Sequence, residues 1–227
     1  MIRTRSLLLL VAVGTGISCA RADTPPLNTD DQKTLYALGL AISRNLAPFS
    51  LTEADLELVK AGLIDGVLHK EPKVDLKVFG EKINAMAKAR VAAGAVVEKK
   101  ASEGFLTKCA AEKGAVKTAS GMIITEIKPG TGASPKPTDK VKVHYQGSLI
   151  DGKVFDSSIQ RNEPAEFQLN GVIPCWTEGV QMMKVGGKSK LVCPSEIAYG
   201  DQGRLPDIKP GATLVFEVEL LEIKPGA

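Results

Sequence analysis

The chain has 227 residues, of which 44% are apolar and 24% charged, and a formal net charge of +3. This length allows one to two domains, and the composition is ordinary for a protein that buries a core. The whole excess of charge comes from Arg3, Arg5 and Arg21, because the rest of the chain balances its cations and anions at 26 each (29 − 3 against 26). Charge therefore makes no case for nucleic acid or anionic lipid as a partner.

Residues 1–22 read as a secretory signal. Arg3 and Arg5 form a positive start, Leu7 to Val13 an apolar run, and Ala20-Arg21-Ala22 a cleavage site. A lipid anchor on Cys19, placing the protein at the outer membrane, is the second reading, although Gly16-Ile17-Ser18 lacks the usual leucine of a lipid-attachment box. Export leaves Cys109, Cys175 and Cys193 in an oxidising compartment, where an odd count allows one internal pair. Cys175 and Cys193 lie in the same domain and are the disulfide candidate, with two inert buried thiols as the alternative. His69 and His144 are the only histidines, and neither stands at ligand spacing from the thiols, so no metal site is expected. The lack of a suitable histidine also argues against a hydrolase built on Cys175.

Three helices follow. The first begins at Thr29, with Gln32 completing a capping box. Its apolar face is Leu35, Leu38, Ile42 and Leu46, and Pro48 lies beyond its end. The second begins at Thr52 with Leu51 and Leu56 as a hydrophobic staple. Its face is Leu56, Val59, Leu63 and Val67, and Glu71-Pro72 closes it. The third runs from Asp75 to about Glu112, roughly 55 Å at 1.5 Å per residue. Its stripe is Phe79, Ile83, Met86, Arg90, Ala93, Val97, Ala101 and Phe105, with Arg90 the one break. Such a helix is expected either to stand free on its charged faces or to pack on a second chain, and Gly94 and Gly104 to mark bends. Two short helices alone make a poor core, which a homodimer would remedy.

Composition changes near Gly114 to Gly121. Beyond it, strands are expected at Met122 to Lys128, Val141 to Leu149, Phe167 to Leu169, Lys190 to Cys193 and Thr213 to Ile223. Asp151-Gly152 signals a hairpin turn. Trp176 to Met183 is the one helical stretch there, and one helix on an antiparallel sheet is an α+β architecture.

Within this half stand the segments VHYQGSLIDGKVFDSS, GVIPCWTEGV, AYG and GATLVFEVELL. They set aromatic and branched residues around Asp156, and they resemble the FKBP-type peptidyl-prolyl cis–trans isomerases. Singly, Phe155, Phe167 and Phe216 read as core; the joint pattern reads as a pocket. The segments LYALGLAISRNL and LELVKAGLIDGVL resemble the dimerisation domain of Gram-negative periplasmic isomerases of the macrophage-infectivity-potentiator type. Together these resemblances divide the chain into a signal (1–22), a helical dimerisation domain (23–74), a connecting helix (75–114) and an isomerase domain (115–227).

The implied fold is an all-α N-terminal domain and a long helix, then an antiparallel half-barrel wrapped around one short helix. The implied activity is rotation of X–Pro bonds in exported polypeptides, with chaperoning, in the periplasm and without a cofactor. Macrolides of the tacrolimus and rapamycin type are the implied inhibitors. The resemblance assigns catalysis to Asp156, Tyr199, Trp176 and Phe155, and substrate binding to Tyr145, Phe167, Val172, Ile173, Phe216 and Arg161. Departures from the family are Ala165 in place of a common phenylalanine and Cys175 in place of a common glycine. Arg204 and Leu205, in a loop expected to overhang the pocket, would tune the preference for the residue before proline.

Overall fold

Two reciprocal caps open the helical region. The structure, a computed structural model, describes residues 26–224, so the signal, its cleavage site and Cys19 lie outside the described residues. Helix α1 (Asp30–Ser43) starts where the Gln32 amide donates to the Thr29 hydroxyl at 3.2 Å while the Gln32 side chain accepts from the Thr29 amide. It gives way to a 3-10 turn, Arg44–Phe49, which takes in Leu46 and Pro48. Leu46 thus leaves the helical face expected of it, because the Pro48 ring cannot sit beneath the carbonyl four residues back. Helix α2 (Glu53–Val67) is capped by Thr52 and Asp55, each side chain accepting from the other's amide.

Helix α3 (Leu76–Ala110) starts at an Asp75 cap and runs without a break through Gly94 and Gly104. Arg90, the polar interruption of its stripe, donates to the Phe49 carbonyl at 2.6 Å and to Asp55 at 2.9 Å. The break therefore ties α3 to the turn before α2. The helix does not stand free along its length. Its buried residues are Ala95, Ser102 and Cys109, seven apart, on a face other than the apolar stripe. Small side chains let the helix backbone come close to the C-terminal half, while Phe79, Ile83, Met86 and Val97 stay exposed.

The sheet has strands β1 (Ala115–Lys117), β2 (Ile123–Lys128), β3 (Lys140–Leu149), β4 (Val154–Ser157), β5 (Ala165–Gln168), β6 (Lys188–Cys193) and β7 (Leu214–Lys224). Their order is β1-β2-β6-β7-β3-β4, with β5 joining β3 beside β4, and every pair is antiparallel. β1 and β4 were not expected, and β5, expected at Phe167 to Leu169, starts at Ala165 and ends at Gln168. The sheet is open. On β3 and β7 alternate residues are buried, as a sheet with one core face requires.

Helix α4 (Pro174–Gln181) packs on that core face. A side chain at Gly179 would lie 2.8 Å from Leu191, so glycine there lets α4 approach β6. Cys175 of α4 is joined to Cys193 of β6, with Cα atoms 5.8 Å apart. Ile123 and Val192 form a second cluster with Cys109, and Phe105, Leu106 and Ala110 of α3 pack against it. Packing thus crosses the compositional division at 114/115.

Candidate active site

The long strand β3 assembles the cleft. Its first half pairs with β5, setting Val141 opposite Phe167, and its second half pairs with β4, setting Gly147 opposite Asp156. On its other side Gly147 faces Phe216 of β7. Inward alternation then puts Tyr145 between these neighbours. A side chain at Gly147 would lie 2.6 Å from the Phe155 ring and 2.9 Å from the Phe216 ring. The bare backbone there is what lets those two rings meet edge to face, with centroids 5.7 Å apart.

Trp176 rises from the first turn of α4, where Pro174 is pre-set for the helix start. Its indole meets Tyr145, Phe167 and Phe216 edge to face at 5.2, 5.4 and 5.4 Å. These geometries suit the ring quadrupoles. Its Nε1–H is buried and has no hydrogen-bond partner among the described residues.

A cleft of about 430 Å³ opens over this floor. Tyr145, Phe155, Asp156, Phe167, Val172, Ile173, Trp176, Tyr199 and Phe216 line it, together with Gly171 and Arg204. Leu205 lines a different groove, beside Arg90 and Val97 of α3. Ala165 is partly buried against the core and is not among the residues that line the cleft.

Arg161, predicted to bind substrate, is not among the residues lining the cleft but closes a triangle with two that are. Its guanidinium donates to Asp156 at 2.5 Å and to the Tyr145 hydroxyl at 3.1 Å. The Tyr145 hydroxyl donates in turn to the other Asp156 oxygen at 2.5 Å. Burial alone would raise the Asp156 carboxyl, but the hydrogen bonds from Tyr145 and Arg161 outweigh it and hold it below the ordinary range. Burial, followed by the bond to Asp156, pushes the Tyr145 phenol up. The cleft therefore presents an ionised carboxylate and a neutral phenol near neutral pH. At the lip, Ile173 caps α4 with its carbonyl, accepting from the Trp176 and Thr177 amides. Among the described residues nothing accepts from the Ile173 N–H.

Gly147 and Ser158 are the residues that sequence reasoning missed. The Ser158 hydroxyl, fully buried, accepts from the Tyr145 amide at 2.8 Å and lies 3.2 Å from the Tyr145 carbonyl. It also lies 3.1 Å from His144 Nδ1, so that histidine is engaged away from the cleft. The only signal for either was membership of the quoted motif, since their use depends on strand register.

Comparison with known proteins agrees with this architecture. The family described as FKBP-type peptidyl-prolyl cis-trans isomerase matches residues 132–221, and the domain amino terminal to such isomerases matches residues 31–123. The FKBP-type peptidyl-prolyl cis-trans isomerase FkpA of Escherichia coli K12 is 41% identical over 209 residues, covering 86% of this chain and 77% of its own. Outer membrane protein MIP of Legionella longbeachae is 33% identical over 230 residues, covering 97% of this chain and 98% of its own. The crystal structure of FkpA from Escherichia coli superposes with a TM-score of 0.66 at 38% identity, over 88% of this chain and 99% of that one. Likeness thus runs through the helical and the sheet halves alike, and this chain belongs to the FKBP-type peptidyl-prolyl cis–trans isomerases.

Proposed function

We propose that the aromatic cleft is where this isomerase holds an X–Pro segment and twists its amide. The observation that carries the reading is a cleft of about 430 Å³ floored by Trp176 and bearing an ionised Asp156. Rotation about X–Pro meets a barrier close to ~18–20 kcal/mol, which arises from amide resonance lost in the twisted state. No bond is made or broken, so no nucleophile is called for. The catalyst needs only to favour the twisted amide over the planar one. Trp176 supports the proline ring, and Tyr145, Phe155, Phe167, Val172, Ile173 and Phe216 wall it in. Water that stabilises the planar amide is displaced by these side chains. The Ile173 N–H and the Tyr199 phenol donate to substrate carbonyls. Asp156, held by Tyr145 and Arg161, orients the turning amide. Arg204 sets the preference for the residue before proline.

Asp156→Leu and Tyr199→Phe test these roles. Each is expected to lower kcat/KM on a short proline peptide about tenfold or more, at the scale of one lost transition-state hydrogen bond, with the fold retained. Parent rates in both variants would remove the polar assignments.

The substrates proposed are unfolded, exported polypeptides of the cell envelope. The N-terminal signal segment and the relative named as an outer membrane protein support this location. Macrolides of the tacrolimus and rapamycin type are the inhibitors this cleft would take. The exposed stripes of α2 and α3, among them Leu63, Val67, Phe79 and Ile83, support a homodimer made through the helical region. A holdase role for that region is the second reading, in which isomerisation serves clients gripped by the dimer.

A further inference from the structure

The cleft rim that bears Tyr199 and Arg204 belongs to the loop between β6 and β7. Within itself the loop is closed by a pair of backbone bonds between Arg204 and Ile208, at 2.8 and 3.0 Å, and by the Gly203 amide donating to the Tyr199 carbonyl. From outside it is held by α3. Lys99 bridges two carboxylates that bracket Tyr199, lying 3.0 Å from Glu196 and 2.5 Å from Asp201. One turn earlier on the helix, Ala95 is buried against Gly211, where any side chain would lie 2.5 Å from the Ala95 carbonyl oxygen. Gly211 in turn donates to the Gly200 carbonyl at 3.0 Å. Beside these, Glu98 meets Lys209 at 3.5 Å.

A single exposed ion pair contributes little, because solvent screening and side-chain entropy offset it. Here one ammonium spans both sides of the rim, and the helix turn that carries it is already seated by Ala95 and the buried Ser102. The backbone that carries this side chain is therefore fixed by packing before the ammonium binds. We propose that Lys99 is a positioning residue for the isomerase cleft: by joining Glu196 to Asp201 it makes the seat of α3 determine where Tyr199 and Arg204 stand. The connecting helix is then part of the enzyme as well as its tether. This proposal rests on the substrate-binding roles given above to Tyr199 and Arg204.

The test uses the full mature chain with Lys99→Gln, Lys99→Arg, Tyr199→Phe, Arg204→Ala and the double variant Lys99→Gln/Tyr199→Phe. Two readouts are taken: kcat/KM on a short proline peptide, and amide hydrogen exchange at residues 199–204. Lys99→Gln is expected to speed exchange at the rim and lower kcat/KM about three- to fivefold, as a rim populated less often in its binding position requires. Thermal unfolding should be unmoved, and Lys99→Arg should recover most of the rate. In the double variant the loss from Lys99→Gln should shrink, because its route runs through the phenol. Unchanged rim exchange in Lys99→Gln overturns the proposal. So does faster exchange with a parent rate, when Tyr199→Phe or Arg204→Ala is impaired. If Tyr199→Phe and Arg204→Ala both keep the parent rate while Lys99→Gln loosens the rim, the substrate-binding roles fail and the proposal falls with them, under a distinct signature.

Discussion

Asp156 keeps its charge because two donors meet it, and this has a consequence in pH. Its carboxyl titrates below the ordinary value near ~3.9, so it contributes stability above that value and loses it as pH falls through the lower folded pKa. Between pH 8 and 5 it therefore does not titrate, and kcat/KM should show no ionisation from it across that window. An inflection between pH 5 and 8 that Asp156→Asn abolishes would contradict this. Gly147 gives a second residue-scale test. Gly147→Ala places a methyl among the Phe155 and Phe216 rings and should cost about 1–3 kcal/mol in unfolding, while weakening peptide binding. Thermal melts and a binding titration measure both. Every aromatic of the cleft was legible in the sequence, because side-chain type and spacing carry the resemblance. Gly147 and Ser158 were not, because one acts by an absent side chain and the other through a bond across strands. Neither is visible until the register of β3 against β4 and β7 is known.

The elements divide in the same way. The capping box at Thr29 and the helix starts at Thr52 and Asp75 were readable, since each start is marked by a local bond between side chain and backbone. The face by which α3 docks was hidden, because Ala95, Ser102 and Cys109 are small and the louder apolar stripe lies elsewhere. This docking predicts where the chain can be cut. A fragment beginning at Ala115 loses Phe105, Leu106 and Cys109 from over Ile123 and Val192, and should unfold at lower temperature than one beginning near Arg90. Equal melting temperatures would show that the end of α3 adds nothing to the C-terminal half. The Cys175–Cys193 bond, which joins α4 to β6 across a separation of 18 residues, should contribute about 3 kcal/mol. Reduction is expected to lower the unfolding midpoint accordingly, with no change at Cys109, which is buried and whose thiol burial pushes up.

At the scale of the molecule, a chain that buries one sheet well leaves much of its helical surface uncovered. The exposed stripe at Phe79, Ile83 and Met86 is expected to meet a second copy. Ile83→Glu should shift the mass in solution from dimer to monomer while leaving isomerisation of a short peptide at the parent rate. Monomeric parent protein would withdraw the dimer. The cleft itself is most directly tested by a proline-isomerisation assay of the mature chain on a short peptide, with and without a tacrolimus-type macrolide. Parent protein is expected to show acceleration that the macrolide abolishes, with macrolide binding weakened in Asp156→Leu. Acceleration that the macrolide leaves untouched, or none from folded protein, would contradict this expectation.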